Sequence, residues 1–89
     1  MKALIIIDMQ NDFMPGGPLG VAGADEIVTR VNPLLNFFDV VVASQDFHPE
    51  GHISFASTHQ KKIGEIIEVP EGDQVLWPEH CKENTEGAE

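Results

Sequence analysis

Val40-Val41-Val42-Ala43-Ser44-Gln45-Asp46-Phe47-His48-Pro49-Glu50-Gly51-His52 is the stretch that decides how this chain reads. Its first four residues are apolar without alternation, the pattern of a strand buried on both faces. Asp46 and His48 follow, two residues apart. On an extended segment such a pair points to one side. In open α/β sheets, catalytic groups and ligands gather where strands end. An Asp and two His can offer a carboxylate oxygen and imidazole nitrogens to a Zn²⁺-like or Mn²⁺-like ion. His52 and His80 are the further candidates for such a site. Spacing alone leaves two readings open, a metal site or an acidic turn with solvated histidines. Pro49 and Gly51 make the direction of His52 the harder to foresee.

Upstream of this stretch, Lys2–Ile7 is a second unbroken β-prone run, expected to be a strand covered on both faces. Met9–Val21 holds Pro15, Gly16, Gly17, Pro18 and Gly20, which is loop chemistry. Ala24–Phe38 places Ile27, Val28, Val31, Leu34, Leu35 and Phe38 at helical spacing, so a helix with one apolar face is expected. Pro33 should kink it or begin a second helix after Asn32. Strand, helix and strand make a βαβ unit with parallel strands and a right-handed crossover. Downstream, Ser54–His59 reads as a helical turn, Ile66–Val69 as a short extended piece and Pro70–Asp73 as a turn. His59 reads as a solvated surface residue, and Lys82–Glu89 as a polar tail without an obvious cap. One principal helix cannot cover a two-stranded parallel sheet, so the chain reads as a piece of a larger α/β domain.

The totals narrow the function. Eighty-nine residues fit one small domain, which buries only about 60–65% of its unfolded surface. The 42% apolar content argues against disorder. Five basic against 15 acidic residues give a net charge of −10, which disfavours nucleic acid and anionic membranes as partners. A single cysteine excludes an internal disulfide. With no secretory leader visible, a cytoplasmic, reducing setting is expected. Ala3–Ile7 is too short to span a membrane.

Among individual side chains, Asp8 ends the first strand, where a carboxylate can serve as a general base or orienting group, or simply bond nearby backbone. Asp12 reads as structural. Phe13 and Trp77 lie among Pro and Gly residues, where aromatics can clamp a flat ring or cover an open sheet face. Cys81 neighbours His80, but adjacent residues seldom orient toward each other as nucleophile and base, so Cys81 reads as a buried thiol. Gly16–Gly20 lacks the strand-to-helix setting of a phosphate loop.

Taken together, Ile5-Ile6-Ile7-Asp8-Met9-Gln10-Asn11-Asp12-Phe13, Pro15-Gly16-Gly17, Ala43-Ser44-Gln45-Asp46-Phe47-His48-Pro49, Ser54-Phe55-Ala56-Ser57, Leu76-Trp77-Pro78-Glu79-His80-Cys81 and Glu86-Gly87-Ala88 resemble the nicotinamidase/pyrazinamidase family. That family belongs to the isochorismatase-like cysteine hydrolases. The resemblance implies an α/β fold: the N-terminal part of a Rossmann-like three-layer parallel sheet, truncated, with residues 1–89 forming half of one domain. It implies that Asp8 is the acid of an Asp-Lys-Cys triad. It implies that Asp46, His48 and His80 hold one divalent metal (Zn, Mn or Fe), with His52 close by as a possible additional metal-site residue. Phe13 and Trp77 would sandwich the pyridine ring of nicotinamide. The implied reaction hydrolyses nicotinamide, or pyrazinamide, to the acid and ammonia, in NAD salvage and pyridine nucleotide biosynthesis. The family's catalytic Lys and Cys lie beyond the matched motifs, and Cys81 falls at a non-catalytic position. The isolated chain is therefore expected to be inactive without a complementary C-terminal half. The alternative is a non-enzymatic metal- or pyridine-binding fragment that self-associates through its open sheet edge.

Overall fold

Two runs of β-branched residues pair as their sequence suggests. In a computed structural model that describes Met1–Glu89, β1 (Ala3–Ile6) and β2 (Val40–Ala43) lie parallel, Ala3 opposite Val40 and Ile6 opposite Ala43. Lys2 and Asp39 bracket the start of the pair. The Lys2 amide donates to the Asp39 carboxylate at 2.7 Å, and Asp39 returns its own amide to the Lys2 carbonyl. Parallel strands need a crossover, and residues between them supply a helix.

The helical stretch divides at Asn32, the second of the two outcomes that Pro33 allowed. α1 (Asp25–Val31) ends where Pro33 approaches, and a 3-10 turn runs on over Asn32–Phe37. Pro33 has no N–H to continue the α-helical ladder, and its ring crowds the preceding turn. Asp25 and Glu26 open α1 and Arg30 closes it, the arrangement its dipole favours.

The strands are not covered on both faces, contrary to the expectation from their composition. Ile5 and Ile7 are 65% and 71% exposed, and Val40, Val41 and Val42 are also exposed. Neither α1 nor its 3-10 continuation contributes a buried residue, and Phe37 stands 75% exposed. Unalternating apolar strands report what a sheet is built to be covered by, and one short helix is too small for that.

The buried core lies instead under the loops beyond β2. Phe55, Ala56, Leu76, Cys81 and Ala88 are buried there, together with Gln10, Ser54 and His80. A hairpin not foreseen in the sequence frames it. β3 (Ile66–Val69) and β4 (Gly72–Val75) pair antiparallel around Pro70-Glu71. Leu76 extends that pairing, donating its amide to Glu65 and accepting from Gly64, which pins it inside the core. The polar C-terminal stretch is also built in, since Glu86–Ala88 forms a 3-10 turn with Ala88 buried.

The exposed area agrees with this picture. The chain exposes 6268 Å², against about 5,200 Å² for a folded protein of its mass. Its radius of gyration is 15.7 Å, against about 12 Å for a self-contained domain of this length.

Candidate metal centre

His80 is far from Asp46 and His48 in sequence, and two short backbone bridges bring it to them. Phe55 pairs in parallel with Trp77, the Ala56 amide reaching the Trp77 carbonyl and the Trp77 amide reaching the Ser54 carbonyl, each at 2.8 Å. His48 then pairs with Lys82. The His48 amide donates to the Cys81 carbonyl at 2.8 Å, and the Glu83 amide donates to the His48 carbonyl at 2.7 Å. His80 lies between these bridges and turns inward.

The result is a compact donor set. His48 Nε2 lies 2.9 Å from Asp46 Oδ1, and His80 Nε2 lies 3.4 Å from Asp46 Oδ2. One ligand atom from each of the three residues fits within a span of 4.8 Å. His80 Nδ1 is 2.7 Å from the Pro78 carbonyl. A carbonyl only accepts, so the ring proton belongs on Nδ1 and the Nε2 lone pair faces the cluster, the usual arrangement for a ligating imidazole. One carboxylate and two imidazoles match the donor chemistry of Zn²⁺ and related divalent ions, with positions left for water or substrate.

His52 lies beside this set and not within it. Its ring stacks 4.2 Å from that of His48. Its Nδ1 accepts the Ser54 amide at 3.2 Å and sits 2.7 Å from the Ser54 hydroxyl. That use of the Nδ1 lone pair leaves the neutral ring's proton on Nε2. Burial pushes its pKa down, and the neighbouring His48 adds to the effect. Beneath the three imidazoles lies Phe55, fully buried, its ring edge-on to His48, His52 and His80 at 5.4 to 5.7 Å. Sequence reading gave Phe55 no role. An apolar residue inside the polar stretch Ser54–His59 was the available signal.

Around the cluster, Asp8 takes an αL backbone (φ 51°), and its carboxylate accepts the Ser44 hydroxyl at 2.7 Å. Asp12 is structural, as expected. Its Oδ2 accepts the Cys81 amide at 2.6 Å, which holds Cys81 at φ 47° directly after His80. The thiol of Cys81 is buried, and its pKa is pushed up to about 11 by that burial and by the negative charges of Asp46, Asp12 and Asp8. The same field that disfavours a thiolate favours a cation. Phe13 is half-buried with its ring 5.9 Å from His80, while Trp77 is exposed. His59 is half-buried and not simply solvated, its Nε2 lying 2.7 Å from the Ile53 carbonyl.

Gln10 was missed altogether by sequence reading. It is buried, its Oε1 accepting the Asp46 amide and its Nε2 donating to the Asp46 carbonyl. A cleft of about 240 Å³ runs past it, lined by Met9, Ser44, Gln45, Ala88 and Glu89 among others. None of Asp46, His48 and His80 lines that cleft, so donor geometry and not concavity marks the site.

A parallel strand pair that delivers a carboxylate and an imidazole beyond its C-terminal edge, joined there by a distant histidine, defines an α/β protein with a metal-binding type of donor set. The Isochorismatase domain matches residues 2–89, and the chain belongs to that family. It is 53% identical to a nicotinamidase of Acinetobacter baylyi over 88 residues, which is 98% of this chain and 41% of that protein. A solved nicotinamidase/pyrazinamidase from Acinetobacter superposes with a TM-score of 0.89 at 51% identity, over 98% of this chain and 42% of that one. A pyrazinamidase of Pyrococcus horikoshii solved in complex with zinc superposes with a TM-score of 0.75 at 42% identity, over the same shares of the two chains. The chain thus spans about two fifths of the length of the relatives it matches.

Proposed function

We propose that residues 1–89 form the N-terminal half of a nicotinamidase-type domain, which hydrolyses nicotinamide and pyrazinamide to the corresponding acid and ammonia. The observation that carries the reading is the cluster of Asp46, His48 and His80 at the end of β2, within a fold similar to that of a zinc-bound pyrazinamidase. These three residues would hold one divalent ion, which when bound supplies an anchor for the ring nitrogen of a pyridine or pyrazine.

The chain's own residues supply the rest of the half-site. Phe13, near His80, and Trp77, on the segment leading to His80, would clamp the faces of the ring. Asp8, held by Ser44, would be the carboxylate of the catalytic triad. Cys81 does not serve as its nucleophile, because its thiol is buried and titrates near 11, and a reactive cysteine needs a lowered pKa. The nucleophile and the lysine of the family's triad would come from the complementary C-terminal half. The bare apolar face of β1 and β2 is where that half would pack. Self-association of two copies, the alternative reading, would bring together two chains of net charge −10. NAD salvage in the cytoplasm is the setting that fits this reading.

The test is ammonia release from nicotinamide by the 89-residue chain and by a chimera. The chimera places residues 1–89 on the remaining three fifths of the Acinetobacter baylyi relative. The chain alone should release none and the chimera should be active, with activity lost on Asp8→Asn. An inactive but folded, metal-loaded chimera would overturn the proposal.

A further inference from the structure

We infer that Gln10 is a positioning residue for Asp46, setting the carboxylate of the metal-binding cluster through a two-point clamp on the Asp46 backbone. The inference rests on the metal reading of that cluster. Gln10 is 3% exposed and lies just past β1, beyond the half-buried Asp8 and Met9. Its amide oxygen accepts the Asp46 N–H at 2.8 Å, and its amide nitrogen donates to the Asp46 carbonyl at 2.7 Å. The side chain therefore behaves as one more residue of a strand ladder. It continues the β1–β2 pairing after both backbones have left it, and reaches the one residue whose two carboxylate oxygens face His48 and His80. Asp46 sits in a loop between Ser44 and Pro49, and these are the side-chain bonds that hold its backbone.

The second proton of the Gln10 amide goes to the Ala88 carbonyl at 2.7 Å, which also accepts from the Gln45 amide at 2.6 Å. Asn11 ties the same turn down, through its backbone amide to Glu89 and its side chain to Glu86, each at 2.8 Å. The Glu86–Ala88 turn is therefore the back wall that orients Gln10. Gln45 shares that wall without touching the Asp46 backbone. This division makes the roles separable. Gln10→Met keeps the length and volume of the side chain and removes the clamp. Gln45→Met removes only a bond to the wall.

Co²⁺ alone is the probe, followed by its visible absorption on titration into the full 89-residue chain and the two variants. Apo circular dichroism serves as the check on folding. Loss of a group that orients a metal ligand weakens binding by about 10- to 100-fold, which is the change expected for Gln10→Met, with Gln45→Met within about twofold of the parent. Equal affinity of Gln10→Met and the parent overturns the inference, and so does equal weakening by the two variants. Absence of Co²⁺ binding by the parent overturns the metal reading itself, and the inference with it. A second measurement needs no variant. Hydrogen exchange should show the Asp46 amide protected in the apo chain, because its acceptor is buried. An Asp46 amide that exchanges freely overturns the clamp.

Discussion

Gly87→Ala should destabilise the chain by about 2 kcal/mol, and the cost should act through Asp12. A Cβ at Gly87 would lie 2.5 Å from Asp12 Cγ and closer still to both carboxylate oxygens. The Gly87 backbone is not among the left-handed positions, so alanine adopts it freely and the penalty is steric. Asp12 must swing away, and its Oδ2 then releases the Cys81 amide that it holds at 2.6 Å. A hydrogen bond to a charged acceptor contributes about 1.5–3 kcal/mol, and the abandoned N–H sits on a buried residue. Alanine's smaller chain entropy in the unfolded state offsets about 0.4–1 kcal/mol of that. For a chain of this length the net corresponds to a fall in Tm of about 8–16 °C. Urea unfolding of Gly87→Ala, Asp12→Ala and the double variant closes the cycle. Once Asp12 is removed, Gly87→Ala should cost almost nothing, giving a coupling of at least about 1.5 kcal/mol. Two effects that simply add would refute the steric argument.

Three further outcomes follow from the distribution of burial and backbone strain. Phe55→Ala should cost about 3–5 kcal/mol in urea unfolding, whereas Phe37→Ala, at a residue 75% exposed, should cost under about 0.5 kcal/mol. In the metal-free chain the Cys81 thiol is raised from 9.0 to about 11, so the folded state holds its proton more tightly than the unfolded state. That stability is complete below pH 9 and lost as pH rises toward 11, which unfolding series across that range will read. Cys81→Ala should abolish that slope. Gln60, with φ 54° at the end of the Ala56–His59 turn, should accept Gly with a gain of about 1 kcal/mol, checked by thermal unfolding.

The parts of this fold that were legible in the sequence are those decided locally. Val40–Ala43 and Lys2–Ile7 announced strands by β-branching, and Pro33 announced the break in the helix. What was not legible depends on partners distant in sequence. The β3–β4 hairpin went unseen because Gly72-Asp73-Gln74-Val75 carries little strand propensity and draws its extended form from pairing with Ile66–Val69. The bare sheet was legible from the count of elements, one principal helix for two parallel strands, whereas the strands' own composition records the covering they are suited to and not what this chain supplies.

At the site, the alternation of Asp46 and His48 was readable, with His52 and His80 as further candidates, and the resemblance singled out His80. The bridges that carry His80 across, from Phe55 to Trp77 and from His48 to Lys82, use only backbone groups and leave no mark in the side-chain pattern. Gln10 escaped for a related reason, and Asp12 read as structural without its partner being visible. Their work is to satisfy the amides of Asp46 and Cys81, and a polar residue in a loop looks the same whether it faces water or a buried N–H.

X-ray absorption at the zinc edge of the zinc-loaded chain tests the central claim most directly. Asp46, His48 and His80 predict a shell of nitrogen and oxygen only, with Zn–N near about 2.0–2.1 Å and an outer-shell signal for two imidazoles. A sulfur scatterer at about 2.3 Å would place Cys81 on the metal and contradict the account.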